Sequence, residues 1–481
     1  MNATIHTLPV SWTPAPPRPA PPAPRAAEPP RHTAVHGGLA ALFRGGECVF
    51  AVAALLLFSD ALLPLLVEGS GGSIRLREGN PLLRASFAAV HGTALLLVLV
   101  HARGVVRAAL AHPFAPVLVA LALASVAWSD DPDLTLRRGA ALAATTAFGL
   151  YLAARFSLRS LLRLLGWALG VAAVLSLAFA LLLPGLGVGQ GDHAGQWRGI
   201  YPHKNTLGQV MVLAALVFFL LWRDAERRRW IPAAGLALCG ALLLLSRSAS
   251  AIAVLAVCAA LLPLYAALRR PHGRGVPLGI AVVLAGGAAA ALAVANLDVV
   301  LALLGRESTL TGRTLLWASA VEAVGARPWS GAGYSAFWTG WGGGSGAVWD
   351  AAGWTTPHAH NGFLDLALEL GMGGVAIFLA GAAVAARRGV AALRGTPGAA
   401  ALWPLLLLAF FLVYNLTESS LLRQNSLFWV LYVATASSAL LRPAAEGAPA
   451  RPGRRLSPGV GRLQRKGDGA RTAPGGGRRH G

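Results

Sequence analysis

The sequence predicts an all-α, polytopic integral membrane helix bundle with about twelve transmembrane helices, and its composition gives the first reason. Of its 481 residues, 55% are hydrophobic and only 13% are charged, and the mean hydropathy is +0.59. Soluble proteins carry about 25% charged residues, so a soluble chain of this length could not cover its surface. These values exclude a cytosolic enzyme, a nucleic-acid-binding protein and a disordered scaffold.

The second reason is the pattern of apolar runs along the chain. Twelve runs are long enough, or nearly so, to cross a hydrocarbon core of about 30 Å. Backbone polar groups in lipid must be satisfied within the element, so each run is predicted to be a helix. The runs are 47–67, 85–101, 114–128, 139–154, 161–183, 206–222, 230–245, 249–267, 277–304, 361–385, 399–415 and 425–441.

The two ends of the chain are predicted to be disordered cytoplasmic tails. Residues 1–45 are rich in Pro and Ala, and residues 442–481 are basic and rich in Gly and Pro. Residues 46–441 remain as the transmembrane domain. The three cysteines, Cys48, Cys239 and Cys258, lie in apolar stretches without CxxC spacing, which argues against a disulfide framework or a zinc site.

The positions of the basic residues predict the orientation of the bundle. If the N-terminus is cytoplasmic, the inward loops hold 15 basic residues in roughly 53 residues, and the outward loops hold 12 basic residues in roughly 124. Ten of the 41 basic residues lie in the C-terminal tail. The net charge of +21 therefore indicates topology and contact with anionic lipid, and we expect no nucleic acid partner.

One long loop stands on the predicted outer side, between the ninth and tenth runs. Residues 305–360 contain 11 glycines and six of the 14 tryptophans. A loop of this length over a membrane bundle is usually functional. Two interpretations of the tryptophans stay open, an interfacial aromatic belt and stacking platforms for sugar rings or for a lipid. The role of the Gly/Trp-rich stretch 338–354 stays open as well.

Three polar segments precede apolar runs on this same face, at 197–208, 245–250 and 357–364. The N-terminus of a helix carries roughly half a positive charge and presents backbone N–H groups without partners. Such a terminus is an anion site. Asn205, Ser248 and Asn361 are predicted to be the N-cap residues.

Basic side chains in or near these segments predict a cationic outer site. They are Arg198, Lys204, Arg247 and Arg313. Lys204 is one of two lysines in a chain with 39 arginines. Arg247 stands between two apolar runs with almost no loop, where charge is costly and usually functional. Arg198 and Arg313 are equally compatible with solvated loop charges, and His203 with a hydrogen-bonded loop histidine.

Histidines of the third segment suit acid–base chemistry better than metal binding. His358 and His360 have the spacing of a metal pair, but no third ligand stands at a convincing spacing. A histidine at a helix N-terminus is expected to stay neutral near pH 7 and can then act as a general base. Asp365 and Glu369 follow at four-residue steps. They would orient the histidine or bind substrate hydroxyls, or else serve as first-turn charge and as a partner for an arginine.

The acidic run 130–133 resembles a metal-binding DxD signature. Its Asp and Pro residues also suit the first turn of the fourth helix, and we favour that interpretation. The sequence contains no Gly-rich nucleotide loop and no GxSxG elbow.

Four motifs in order resemble the O-antigen ligase and polysaccharide polymerase superfamily. They are Arg198 with His203-Lys204-Asn205, then Ser246-Arg247, then Thr311-Gly312-Arg313, and finally His358-Ala359-His360-Asn361 with Glu369-Leu370-Gly371-Met372-Gly373-Gly374. The His-Lys-Asn form is most similar to the exopolysaccharide-production branch. The resemblance covers about residues 110–440, and the long outer loop before the tenth helix also fits it.

This resemblance implies a glycosyltransferase of the bacterial inner membrane that needs no metal or other cofactor. Both termini would be cytoplasmic and the active site periplasmic. The donor would be a glycan on undecaprenyl diphosphate, and the acceptor a glycan, a lipid or a protein. Arg198, Arg247 and Arg313 would contact the donor diphosphate or sugar, and His360 would activate the acceptor hydroxyl. The other predicted substrate-binding residues are His203, Lys204, Asn205, His358, Asn361 and Glu369.

Other functions remain open at this point. The motifs do not separate ligases from polymerases, and partners that control chain length are expected for either. A transporter or flippase of lipid-linked glycans is the main alternative. Its candidate sites would be expected at the membrane midplane, whereas the polar segments here lie at the outer surface. A third interpretation is a non-catalytic scaffold of an export complex.

Overall fold

The computed structural model describes residues 31–61, 80–270 and 313–438, and this part of the chain is helical. The helices of eight or more residues are α1 Arg31–Phe58, α2 Pro81–Val100, α3 Ala102–Ala111, α4 Phe114–Ala124, α5 Pro132–Arg155, α6 Leu158–Leu182, α7 Lys204–Asp224, α8 Trp230–Ser246, α9 Ala249–Ala260, α10 Leu262–Arg269, α11 Arg313–Ala326, α12 Gly344–Ala352, α13 Gly362–Gly395, α14 Trp403–Tyr414 and α15 Leu427–Ser438. Short 3₁₀ turns at Ser125–Trp128 and Ala399–Leu402 extend α4 and precede α14.

The described helices follow the predicted apolar runs. Five of them are long and apolar enough to cross a membrane: α2, α6, α7, the continuous pair α9–α10, and α13. The pair α3–α4, bent by 92°, makes a sixth if it counts as one span. Twelve spans therefore stay a prediction, and the run 277–304 lies outside the described residues. The first helix begins at Arg31, inside the stretch 1–45 that the sequence assigns to a tail.

Helix starts show how local sequence sets these boundaries. Asn80 accepts a hydrogen bond from Leu83 N at 3.0 Å, and Pro81 takes the first helical position of α2. Asp131 does the same for Leu134 N at 3.0 Å, and Pro132 begins α5. Both are typical N-terminal signals. The helix-start interpretation of the acidic run 130–133 is confirmed.

The two ends of the bundle differ in their polar contacts. At the end where α5 terminates, buried Glu47 of α1 lies 2.8 Å from His101 Nε2 and 2.7 Å from Arg155. Tyr151 donates to the same carboxylate at 3.1 Å. This network fixes α1 against α2 and α5. We call this the distal end, and the end where α5 and α13 begin the site end.

Residues 313–361, most of the predicted outer loop, are folded in the structure. α11, α12 and the start of α13 share a small apolar core of their own, formed by Leu316, Ala320, Ala332, Phe337, Val348, Ala352 and Leu368. We call α11, α12 and residues 362–370 the cap. It stands at the site end of the bundle.

A break in α13 separates the cap from the membrane span. Gly371 has φ 67° and ψ −175°, a conformation that is essentially restricted to glycine. Met372 N donates to Pro328 O at 2.7 Å, and Ala332 N donates to Leu368 O at 2.8 Å. An unbroken helix of 34 residues would be about 51 Å long. The part after Gly371, about 36 Å, is enough to cross the hydrocarbon core.

Candidate active site

The loop between α14 and α15 supplies the residue around which the site is organised. Asn415 Oδ1 accepts hydrogen bonds from Ser420 N at 2.8 Å and from Leu421 N at 3.0 Å, which folds the loop back on itself. Gly362 N donates to Asn415 O at 2.8 Å and to Glu418 O at 3.1 Å. A Cβ on Gly362 would lie 2.2 Å from Asn415 Oδ1. This close approach holds Glu418 against the start of α13.

Glu418 joins His360 and Arg313 in one cluster. Its Oε2 lies 3.4 Å from His360 Nδ1, and its Oε1 lies 3.6 Å from an Arg313 guanidinium nitrogen. The same guanidinium nitrogen is 3.3 Å from His360 Nδ1, and the other donates to Thr417 O at 2.9 Å. The three side chains are 14–19% exposed, so they are shielded but reachable.

The two remaining polar segments meet this cluster through Asn205. Asn205 Nδ2 donates to Glu418 Oε1 at 3.3 Å, and Asn205 Oδ1 accepts from Ser248 Oγ at 3.1 Å. A continuous chain of contacts therefore runs from Ser248, next to Arg247, to His360. The structure brings all three predicted segments together, as their predicted placement on one face requires.

The predicted N-caps have three different outcomes. Asn361 is confirmed, because its Oδ1 accepts from Phe363 N and Leu364 N at 3.0 and 3.2 Å. The prediction for Asn205 is wrong, because His203 caps α7: its Nδ1 accepts a hydrogen bond from Asn205 N at 3.2 Å. Ser248 holds the cap position of α9 without a side-chain cap bond. The side chains of Asn205 and Ser248 instead contact each other, and Asn205 also contacts Glu418.

The backbone of His360 is in the left-handed region, with φ 51°. Non-glycine residues in that region are uncommon and often functional. Its N–H donates to His358 Nδ1 at 3.2 Å, and Asp365 Oδ1 accepts from Ala359 N at 2.9 Å. Asp365 therefore fixes the segment that carries the histidine, which fits the first of its three predicted roles.

Two tryptophans of the cap, together with Trp338 in the loop between α11 and α12, support this segment from behind. Trp317 Nε1 donates to Ala359 O at 2.9 Å, and Trp338 Nε1 donates to Asp365 Oδ1 at 2.8 Å. Trp349 Nε1 donates to Thr356 O at 2.9 Å. This structural role differs from both interpretations of the tryptophans, the aromatic belt and the stacking of sugar rings. Trp329 and Trp341 are 78% and 61% exposed, and for them both interpretations stay open.

Two predicted donor-binding arginines stand in different surroundings. Arg198 donates to Leu186 O at 2.8 Å and to Gly185 O at 3.3 Å. These bonds close the loop formed by residues 185–198. Arg247 occupies the two-residue turn between α8 and α9 with φ 49°, and its side chain is exposed. Their contacts with a diphosphate stay predictions, as do those of Lys204, which begins α7. Glu369 is half-buried near Arg138 and Arg423.

Burial sets the charge state of the groups around the base. Burial lowers the pKa of His203 to about 4, and the neighbouring His193 adds to the effect. Burial also lowers the pKa of His358 to about 3, followed by the effect of His360. Burial opposes ionisation of Glu418, but the contact with His360 and the charges of His358, His360 and Arg313 outweigh it and lower its pKa to about 2. At pH 7, His203 and His358 are neutral and Glu418 is ionised.

These pKa values predict that acidification destabilises the fold. The unfolded chain binds protons at His203 and His358 below about pH 6.5, whereas the folded chain binds them only below about pH 4 at His203 and about pH 3 at His358. The melting temperature of purified protein should therefore fall between pH 6.5 and pH 4.5. Glu418 does not contribute there, because its stabilisation is lost only below its ordinary value of 4.5. Burial raises the pKa of Glu369 to about 8, so the folded chain binds that proton first and Glu369 offsets one of the two histidines. A variant with His203→Asn and His358→Gln should show a shallower slope, and equal slopes would contradict this assignment.

The cluster also offers three atoms to a metal ion. Ligand atoms of His358, His360 and Glu418 all lie within 4.8 Å of one another. Glu418 thus supplies the third ligand that sequence spacing did not reveal. However, the Arg313 guanidinium lies beside two of these ligands, and His358 Nδ1 already accepts a backbone N–H. A divalent cation would face that fixed positive charge and would compete with it for Glu418.

Comparison with known proteins agrees with the geometry. A model of the O-antigen ligase family matches residues 233–379, which include Arg247, Arg313, His358 and His360. The exopolysaccharide production protein ExoQ of Rhizobium meliloti (strain 1021) is 31% identical over 306 residues, which are 61% of this chain and 68% of that protein. Together with the apolar helices, these matches indicate a multi-pass membrane protein that acts in polysaccharide biosynthesis as a glycosyltransferase-like enzyme. The chain belongs to the O-antigen ligase superfamily, in its exopolysaccharide-production branch.

Proposed function

We propose that the protein transfers a glycan from undecaprenyl diphosphate to an acceptor hydroxyl, on the periplasmic side of the inner membrane and without a metal ion. The observation that carries this proposal is the convergence of Arg313, His360 and Glu418 with the Asn205–Ser248 pair. These residues come from five separate stretches of chain. Their proximity supports the proposal, because an imidazole, a carboxylate and a guanidinium lie within contact distance of one another.

The position of one proton decides whether His360 can act as the base. If Nδ1 carries it, Nδ1 donates to Glu418 Oε2 and the lone pair of Nε2 can accept the acceptor proton. If Nε2 carries it, Nδ1 accepts from Arg313 and the ring cannot act as a base. Ionised Glu418 favours the first state, since a carboxylate can only accept. Arg313 then pairs with Glu418 Oε1.

In the proposed reaction, the acceptor oxygen forms a bond to the anomeric carbon as the bond from that carbon to the diphosphate oxygen breaks. The acceptor proton moves to His360 Nε2, and the electron pair leaves on the diphosphate. Negative charge grows on the leaving group, and fixed cations stabilise it most in a site shielded from water. Arg247, Arg313 and Lys204 are the cations proposed for this role. A single direct displacement inverts the anomeric centre.

The test uses purified protein in liposomes with an oligosaccharide on undecaprenyl diphosphate and an added acceptor saccharide. We expect a new glycosidic bond of inverted configuration, release of one undecaprenyl diphosphate per bond, and the same rate with and without EDTA. Loss of activity in EDTA with recovery on adding Zn²⁺ would overturn the metal-free mechanism. Movement of the labelled lipid across the bilayer without bond formation would favour the transporter.

A further inference from the structure

The short helix α3 lies at the distal end of the bundle, away from the candidate active site. His101, just before it, contacts Glu47 at 2.8 Å, and Gly104 approaches Ala154 near the end of α5. At its other end, Arg388 donates to Ala111 O at 2.9 Å. The axis of α3 is bent by 92° from that of the α4 segment. α3 therefore runs across the end of the bundle, along the surface where a bilayer would end.

The face of α3 that points away from the bundle combines charge with apolar surface. Val105 and Ala108 are buried, whereas Val106 and Leu110 are 55% and 74% exposed. Arg103 and Arg107 are exposed on the same outward side, one helical turn apart. Ala102, Arg103, Val106 and Arg107 line an open groove of about 620 Å³.

We propose that this groove binds the headgroup of an anionic phospholipid from the leaflet at the distal end. The phosphate would lie between the guanidinium groups of Arg103 and Arg107, and the acyl chains would cover Val106 and Leu110. Guanidinium groups pair well with phosphate oxygens. An in-plane helix with basic and apolar residues on one surface is typical of a membrane interface.

Two observations favour a lipid over a soluble anion or a protein. The exposed apolar side chains stand directly beside the arginines, so a free phosphate would leave them uncovered. Positive charge also continues beyond α3 to exposed Arg387 and to Arg388, which contacts its last residue. This end is the one that the distribution of arginines predicts to be cytoplasmic, where the membrane surface is negative.

The experiment measures how the intact protein selects lipids in mixed bilayers. Protein is reconstituted with spin-labelled phosphatidylglycerol or spin-labelled phosphatidylcholine, and the immobilised fraction of each is compared. We expect a clear preference for phosphatidylglycerol that falls with salt. The double variant Arg103→Gln, Arg107→Gln should lose about fivefold in relative association for each arginine removed.

Arg159 and Arg163 provide a matched control. They are exposed, four residues apart and at the same end of the bundle, but they lie on the first turns of α6, a helix long enough to span the membrane. Arg159→Gln with Arg163→Gln removes the same charge and should keep the preference. If both double variants lose the preference for phosphatidylglycerol equally, the proposal is overturned, because the lipid is then attracted by the overall positive charge of this end. Displacement of the lipid by millimolar inorganic phosphate would overturn it in favour of a soluble anion.

Discussion

Replacing His360 by asparagine should lower the initial rate of glycan transfer by roughly 10²–10⁴-fold, the usual contribution of a general base. Asparagine is the sharper choice than alanine, because it tolerates the left-handed backbone that His360 adopts. The variant should therefore reach the membrane in normal amounts. Transfer is measured as loss of lipid-linked oligosaccharide and gain of product in reconstituted vesicles.

Glu418→Gln provides the companion measurement. Its amide can donate to His360 Nδ1, which would hold the proton on Nε2 and remove the lone pair that the reaction needs. We expect a loss of transfer close to that of His360→Asn, and a double variant little worse than either, because the two residues act as a unit. Asp350→Asn, at an exposed position of α12, should leave transfer unchanged. Full activity of His360→Asn would contradict the assigned base.

Gly371→Ala should be the most damaging single substitution in the fold. An alanine there would take a backbone conformation that only glycine adopts readily, and its Cβ would lie 2.2 Å from Trp329 O. We expect a loss of about 3 kcal/mol in stability, seen as a lower melting temperature and faster proteolysis in the cap. Transfer should fall with it, because the cap supports the segment that carries His360.

The neighbouring Gly373→Ala separates this effect from a general demand for small residues. Its Cβ would meet Trp329 O at 3.8 Å, an ordinary contact, and its backbone is helical. Alanine also favours helix over glycine by about 1 kcal/mol. The variant should match or exceed the parent in melting temperature. Equal damage from both substitutions would show that the break at Gly371 is not the cause.

Much of this architecture could be predicted because it depends on local chemistry. Long apolar runs form helices without reference to the rest of the chain, and Asn361 and Asp131 cap helices through bonds to residues two or three positions away. The meeting of the three polar segments followed from their placement on one face. Each of these inferences needs only neighbours in sequence or a count of membrane crossings.

Glu418 could not be found this way, because its partners lie 58 and more residues away. One signal existed: it is the only acidic residue between the last two apolar runs, in a loop predicted to share the face of the histidines. The roles of Trp317 and Trp338 are equally non-local. Asn205 was misassigned because side-chain type alone does not show which of two neighbouring residues has the extended backbone of a cap.

Under the proposed function, the break at Gly371 also sets the level at which the acceptor would react. Nine residues of helix stand between His360 and the membrane part of α13, a rise of up to about 14 Å along the axis. The His360 imidazole would then lie at the level of the lipid phosphates, outside the hydrocarbon core. A hydrophilic polymer could grow there in water while the polyprenyl tail of its carrier stays dissolved among the acyl chains.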